Sequence, residues 1–226
     1  MTKLFNGPSN SITDIDGFLV GNAHDDNLKS GVTVLTRSTS FRASVSILGG
    51  APGTKETDLL SPDKIVDNID GIVLAGGSAF GLDASSGVMD CLKNRNRGFD
   101  TGSIKIPIVP SAILFDLKNG GVKDWKINPY RDLGKNAFLN VSEKFEIGSA
   151  GAGCGATTSV VKGGLGTASF CYGDRVKVGA IVAVNSVGSP CFPRTNILYS
   201  DFYGANNEHL EKPPTSALIN LSLIHI

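Results

Sequence analysis

Histidine is scarce in this sequence: three in 226 residues, at His24, His209 and His225. A serine hydrolase of the strand-turn-helix type needs a histidine downstream of its nucleophile and a G-x-S-x-G turn around it. The turn Gly76-Gly77-Ser78-Ala79-Phe80-Gly81 follows an apolar run at 71–75 and precedes a helix-like segment, but it carries Phe80 where that motif has glycine. Only His209, in a polar stretch, and His225, one residue from the end, come after it. A histidine-activated Ser78 is therefore disfavoured. Cysteine is also sparse. Cys91, Cys154, Cys171 and Cys191 form no C-x-x-C pair, which excludes a zinc ribbon and a disulfide framework and leaves four free thiols, expected to be buried. No His/Cys/carboxylate group has ligand spacing, so neither a metal nor another cofactor is expected.

Charge of one sign is missing as well. Lys plus Arg and Asp plus Glu are both 21, so there is no basic field to attract nucleic acid. No apolar run approaches the ~20 residues of a membrane span, and the first residues lack the apolar core of a signal peptide. The expectation is a cytoplasmic protein that does not engage a membrane. No Gly-Lys-Ser/Thr follows any glycine cluster, which excludes a phosphate loop.

What the chain does have is glycine: 28 of them, mostly in short clusters between β-branched apolar runs. Strands are predicted at 18–23, 31–35, 43–48, 71–75, 106–109 and 179–185, and helices at 61–67, 81–95 and 132–141. Strands followed by helices, rather than strict alternation, predict a layered α+β domain with a mixed or antiparallel sheet. A single domain over 1–226 is expected. It includes a polar connector at about 193–215 and a strand-like apolar end.

Each cluster has a plain reading and a functional one. Ser78 is expected to cap the following helix, in a turn whose N–H groups suit a carboxylate or oxyanion. The second cluster, 49–60, reads as a solvated loop. The third, 148–158, is a run of small residues that lets backbone approach a ligand or another segment closely. Lys162, between glycine turns, is an exposed lysine or a proton-transfer group. Asn185 is a strand-end residue or an amide donor for a developing oxyanion.

Taken in order, these clusters resemble the DmpA-like aminopeptidases (peptidase family S58), which take in the β-aminopeptidases and the nylon-oligomer hydrolase. The resemblance runs from Ile12 to about Asn185. It is carried by Ile12-Thr13-Asp14-Ile15-Asp16-Gly17, Val20-Gly21-Asn22-Ala23, Gly31-Val32-Thr33-Val34, the cluster 49–60, the turn 76–84, the segment 109–117, the run 151–156, Lys162-Gly163-Gly164-Leu165-Gly166 and Val182-Ala183-Val184-Asn185. The resemblance implies a four-layer α-β-β-α sandwich of the N-terminal-nucleophile type. Such a precursor cuts itself and exposes a serine or threonine whose new α-amine serves as base for its own hydroxyl. It further implies Asn185 and Lys162 as catalytic residues, Gly76, Gly77, Ser78 and Phe115 as pocket wall, and Asn220 as the residue before the cut. Phe115 stands where some members have tyrosine. The implied partners are a peptide or amide substrate, the protein's own small subunit and further copies in a homo-oligomer. Leu221 follows Asn220 and cannot be the nucleophile, so the chain reads as most of a large subunit with a doubtful tail at about 221–226. The other reading is a non-catalytic homologue that keeps the glycine turns as a peptide or anion pocket.

Overall fold

The computed structural model describes residues 4–202, apart from 160, 174, 194 and 196. Apolar residues at alternate or successive positions between 18 and 42 pair into an antiparallel ladder. It starts after β1 (Leu4–Asn6) and joins β2 (Phe18–Asp25) to β3 (Ser30–Arg42), with Val20 opposite Leu35. β4 (Thr54–Lys55) and β5 (Asn68–Ala75) follow. β3 pairs antiparallel with β5 and is bulged between Thr36 and Phe41. A short hairpin of β6 (Phe99–Asp100) and β7 (Lys105–Ile106) precedes β8 (Ser111–Ile113), which runs parallel to β5. The five-stranded sheet has the order β2-β3-β5-β8-β4. β9 (Gly164–Tyr172) and β10 (Val176–Val184) form a second, three-stranded antiparallel sheet with β1, in the order β1-β9-β10.

Two helices cover one face of the larger sheet. α1 (Ala84–Asn94) buries Ala84, Val88 and Leu92, and α2 (Tyr130–Leu139) buries Tyr130, Leu133, Ala137 and Phe138. Spacings of three and four residues put each set on one stripe. Both stripes join Val32, Val34, Val73 and Val109 in the main core. The helices approach so closely that an added Cβ would lie 2.0 Å from the Arg131 carbonyl oxygen at Gly87 and 2.1 Å from that of Ala84 at Gly134. Only glycine fits at such a crossing. A second core lies between the sheets, where Val20, Leu35 and Ile72 meet Ile12, Phe145 and Ile181. The described residues thus stack helix layer, sheet, sheet, with Val178 and Val182 of β10 outward.

The mixed sheet agrees with the sequence expectation, and 18–23, 71–75, 179–185, 81–95 and 132–141 become elements with shifted ends. Three local expectations fail, and one strand goes unread. The predicted strand 31–35 lies within one thirteen-residue strand, which stops at Arg42, and no strand forms at the predicted 43–48. The exposed, bulged middle of the long strand, Ser38-Thr39-Ser40, has no apolar alternation to read, and 43–48 pairs with nothing among the described residues. The predicted helix 61–67 is a short 3-10 turn at Asp58–Leu60 followed by one turn closed by the Lys64 N–H on the Ser61 carbonyl. It has no apolar stripe, and Ile65 is 91% exposed. Pairing at 106–109 is shifted to Ser111–Ile113, because Pro107 and Pro110 have no N–H to donate. β9 escapes the sequence reading, since Gly164 and Gly166 interrupt its period. Asn220 and the segment 215–226 lie outside the described residues, as does the connector beyond 202. No helix among the described residues is long and apolar enough to cross a membrane.

Asp14 fastens the first turn to the second sheet. Its carboxylate accepts the Ser169 hydroxyl at 2.6 Å and the N–H groups of Ser9 and Ser11 at 3.1 Å. Burial opposes ionisation, but these donors outweigh it and hold the carboxyl below its ordinary 3.8. A depressed folded-state value stabilises above 3.8, and that contribution is lost as pH falls through the lower value. Exchange protection of the Ser11 amide is therefore expected to drop in acid, and to be low already at neutral pH in Asp14→Asn. Equal protection in the two proteins would contradict the anchor.

Candidate functional site

β5 and β8 are parallel, so their C-terminal ends open on the same edge, and the chain leaves each through a segment singled out above. From β5 it enters Gly76-Gly77-Ser78; from β8, Leu114-Phe115-Asp116. The two exits are tied together: Leu114 N–H donates to the Ala75 carbonyl at 2.9 Å and Ser78 N–H to the Leu114 carbonyl at 3.0 Å. Gly77 has φ +81°, a left-handed conformation, and its N–H donates to Asp116 Oδ1 at 2.7 Å. Asp116 Oδ2 accepts the Ser30 hydroxyl at 2.6 Å, and Ser30 Oγ accepts the Tyr130 hydroxyl at 2.8 Å. All three side chains are at most 1% exposed. Burial pushes the Tyr130 phenol well up, so it remains a neutral donor.

Ser78 does not cap a helix as expected. Its own φ is +53°, it opens the 3-10 helix Ser78–Asp83, and neither that helix nor α1 receives a side-chain cap bond. The turn is held by Asp116 and by the Leu114 carbonyl instead.

Asn185, just past β10, reaches the same edge. Its Oδ1 accepts the Thr157 N–H at 2.9 Å and its Nδ2 donates to the Phe115 carbonyl at 3.1 Å, leaving one amide N–H uncommitted by these bonds. Thr157 pairs in an isolated bridge with Lys162, and Gly163 N–H donates to the Ala156 carbonyl at 2.9 Å. Lys162 is exposed. Its charge reaches the small-residue run: burial and Asp26 push the Cys154 thiol up, and Lys162 opposes them. The structure therefore brings Gly76, Gly77, Ser78, Phe115, Asn185 and Lys162 together through one chain of hydrogen bonds across four segments. Phe115 is 48% exposed, so its ring faces outward at this edge. Beside the turn, Phe80, Leu117, Lys123, Trp125 and Asn128 border a cleft of about 510 Å³. Lys123 donates to the Leu28 carbonyl, and its pKa is lowered by burial.

Sequence reasoning missed Ser30, Asp116, Tyr130 and Asn119. Asn119 Nδ2 bridges the Lys29 and Gly155 carbonyls at 2.8 and 2.9 Å. These are ordinary polar residues whose partners lie 36 to 100 positions away, with no local pattern to mark them. Among the described residues no group of histidine, cysteine or carboxylate side chains could hold a metal.

Comparison with known proteins adds to this geometry. An uncharacterized aminopeptidase of Mycobacterium bovis is 39% identical over 222 residues, which cover 94% of this chain and 63% of that protein. The 6-aminohexanoate-oligomer endohydrolase of Paenarthrobacter ureafaciens is 32% identical over 182 residues, 77% of this chain and 48% of that one. The chain thus spans under two thirds of the length of these relatives. Among solved structures, the L-aminopeptidase D-Ala-esterase/amidase of Ochrobactrum anthropi, described as a variant of the Ntn hydrolase fold, superposes with a TM-score of 0.64 at 24% identity, over 83% of this chain and 56% of that one. A Burkholderia β-aminopeptidase gives 0.63 at 18% identity, over 85% and 56%. These superpositions carry the fold, that of the Ntn hydrolases, of which the described residues form one helix layer and two stacked sheets. The description of peptidase family S58 matches residues 10–215, and the chain belongs to that family.

Proposed function

We propose that the intact protein is a self-processing aminopeptidase or amidase acting on short peptides or related amides, and that this chain supplies the receiving half of its active site. The observation that carries the reading is the Asn185 clamp. One side chain fastens the exit of β8 to the run 156–157 next to Lys162, at the edge where the Gly77-Ser78 turn is pinned. The family membership and the share of its relatives that the chain spans support a nucleophile and a further helical layer supplied from outside the described residues.

In this mechanism a serine or threonine that stands in the complete protein where the doubtful tail begins at Leu221 here is freed by cleavage after Asn220 and attacks the substrate carbonyl, with its own α-amine taking the proton. The acyl-enzyme forms as the amine product leaves, and water then releases the acid. Asn185 directs its uncommitted N–H at the tetrahedral oxyanion, and the Gly76-Gly77-Ser78 turn and Phe115 form the wall against which the substrate rests. Lys162 shuttles a proton to the leaving amine. Partners are the substrate, the small subunit and further copies of the protein, in the cytoplasm.

Asn185→Ala in the complete enzyme is expected to lower kcat about 100-fold, the usual loss for one oxyanion donor, with a smaller change in KM. Steady-state kinetics on an aminoacyl-p-nitroanilide measures this. An unchanged kcat with a raised KM would make Asn185 a scaffold residue only.

A further inference from the structure

Ser111, the first residue of β8, is 2% exposed, and its Oγ has no hydrogen-bond partner among the described residues. Burying a hydroxyl without a partner costs ~1–3 kcal/mol, so a fold keeps one where something else satisfies it. Ser111 lines a cavity of about 390 Å³, within the range of small-ligand sites. Its other walls are the segment 43–48, the second glycine cluster up to Leu60, and Ile72.

The sequence reading of 49–60 as a solvated loop is therefore incomplete. The cluster is fastened across the cavity mouth: Ile113 N–H donates to the Gly53 carbonyl at 3.0 Å, Thr54 pairs with Ala112, and the Thr54 and Thr57 hydroxyls bond at 3.2 Å. Val45, Ile47 and Leu48 are 41%, 43% and 77% exposed along the rim, apolar surface with no cover among the described residues.

The lining decides what fits. It contains no Asp, Glu, Lys or Arg among the described residues. An ammonium or carboxylate entering it would lose its hydration and meet no counter-charge, a cost of several kcal/mol. An uncharged apolar group loses nothing and gains the usual ~25 cal/mol per Å² of apolar surface buried. Of the lining hydroxyls, those of Thr54 and Thr57 bond each other and that of Ser111 is the buried one without a partner among the described residues; a group that both donates and accepts, it suits an amide or carbonyl on an otherwise apolar group.

The cavity also lies along the strand that leads to the site. At ~3.3 Å per extended residue, Ile113 sits ~7 Å and Ser111 ~13 Å from Phe115, the residue whose carbonyl Asn185 holds. Those are the reach of one side chain and of one extended residue beyond it.

We propose that this cavity is a subsite for the neutral, apolar part of the substrate, with the Ser111 hydroxyl binding its one polar group, and that it selects against charged side chains. The word substrate rests on the functional reading above; the ligand class does not.

A titration of the 226-residue chain followed by amide NMR tests the ligand class. Hexanamide is expected to give saturable shifts at Ser44, Ile47, Ser111 and Ile113, with hexanoate and hexylammonium at least about tenfold weaker. Ser111→Ala should weaken hexanamide about fivefold and leave toluene, which makes no hydrogen bond, unchanged. Leu48→Glu, at the exposed rim where the fold is not at risk, should weaken both. Equal binding of the charged analogues, shifts elsewhere, or a hexanamide affinity indifferent to Ser111→Ala would overturn the proposal. A second arm uses the complete enzyme with leucyl, glutamyl and lysyl p-nitroanilides. Hexanamide binding without hydrolysis of any of them removes the functional reading and leaves the cavity's ligand class standing. Hydrolysis of all three at equal kcat/KM removes the subsite and leaves the enzyme.

Discussion

Gly77→Ala is expected to destabilise the protein by ~3 kcal/mol or more. Two costs add. A side chain held at φ +81° loses ~1–2 kcal/mol relative to glycine. The new Cβ would also lie 2.1 Å from the Tyr130 ring, and that ring cannot yield. It is fully buried, packed edge-on against Trp125 at 6.0 Å and hydrogen-bonded to Ser30. Overpacking of this kind costs a further ~1–3 kcal/mol. Gly102→Ala separates the two terms. Its φ is +88° but nothing lies within 4 Å of the added atom, so only the conformational part, ~1 kcal/mol, should appear. Urea titrations of both variants with an unchanged m-value measure the difference. Equal destabilisation by the two would mean that Tyr130 does not seat the Gly77 turn.

Asp116 is the other position where a single change should be felt throughout the site. Both of its oxygens accept, one from Gly77 N–H and one from Ser30, whose Oγ in turn accepts from Tyr130. Asn has only one acceptor oxygen, so Asp116→Asn turns an N–H toward a serine that already has a proton to place, and one buried donor is orphaned. The expected loss is ~1–3 kcal/mol. Asp116→Ala strands Gly77 N–H and Ser30 together and should cost ~3 kcal/mol or more, since the network is broken at its centre. The Gly77-Ser78 turn should then lose its exchange protection while α1 keeps its own. Protection at Gly77 that survives Asp116→Ala would show that the Leu114 carbonyl alone holds the turn.

How far the sequence discloses this site depends on the range of the signal. Gly77 is legible, because a glycine turn between an apolar strand and a helix has few alternatives. The stripes of α1 and α2 are legible for the same local reason. Asn185 and Lys162 are visible as polar residues at the ends of apolar or glycine runs, but their meeting at Phe115 and Thr157 depends on two sheets being stacked. Local patterning does not carry that information. Ser30 and Asp116 meet across 86 positions, and neither differs locally from an ordinary surface residue. β9 stayed hidden because its glycines erase the alternation that marks a strand, and 61–67 passed for a helix because Pro62 after Ser61 imitates a helix start. The order of the clusters supplied what none of them carried singly, which is why the family was readable while the contacts were not.

The central claim is that this edge serves a nucleophile created by self-cleavage. It is tested most directly by intact mass and N-terminal sequencing of the purified product of the complete coding sequence, alongside hydrolysis of an aminoacyl-p-nitroanilide. The account predicts two chains, the second beginning with serine or threonine, with both cleavage and activity lost when that residue is changed to alanine and no hydrolysis by the 226-residue chain alone. A single uncleaved chain that hydrolyses the substrate, and loses that activity in Ser78→Ala, would contradict it.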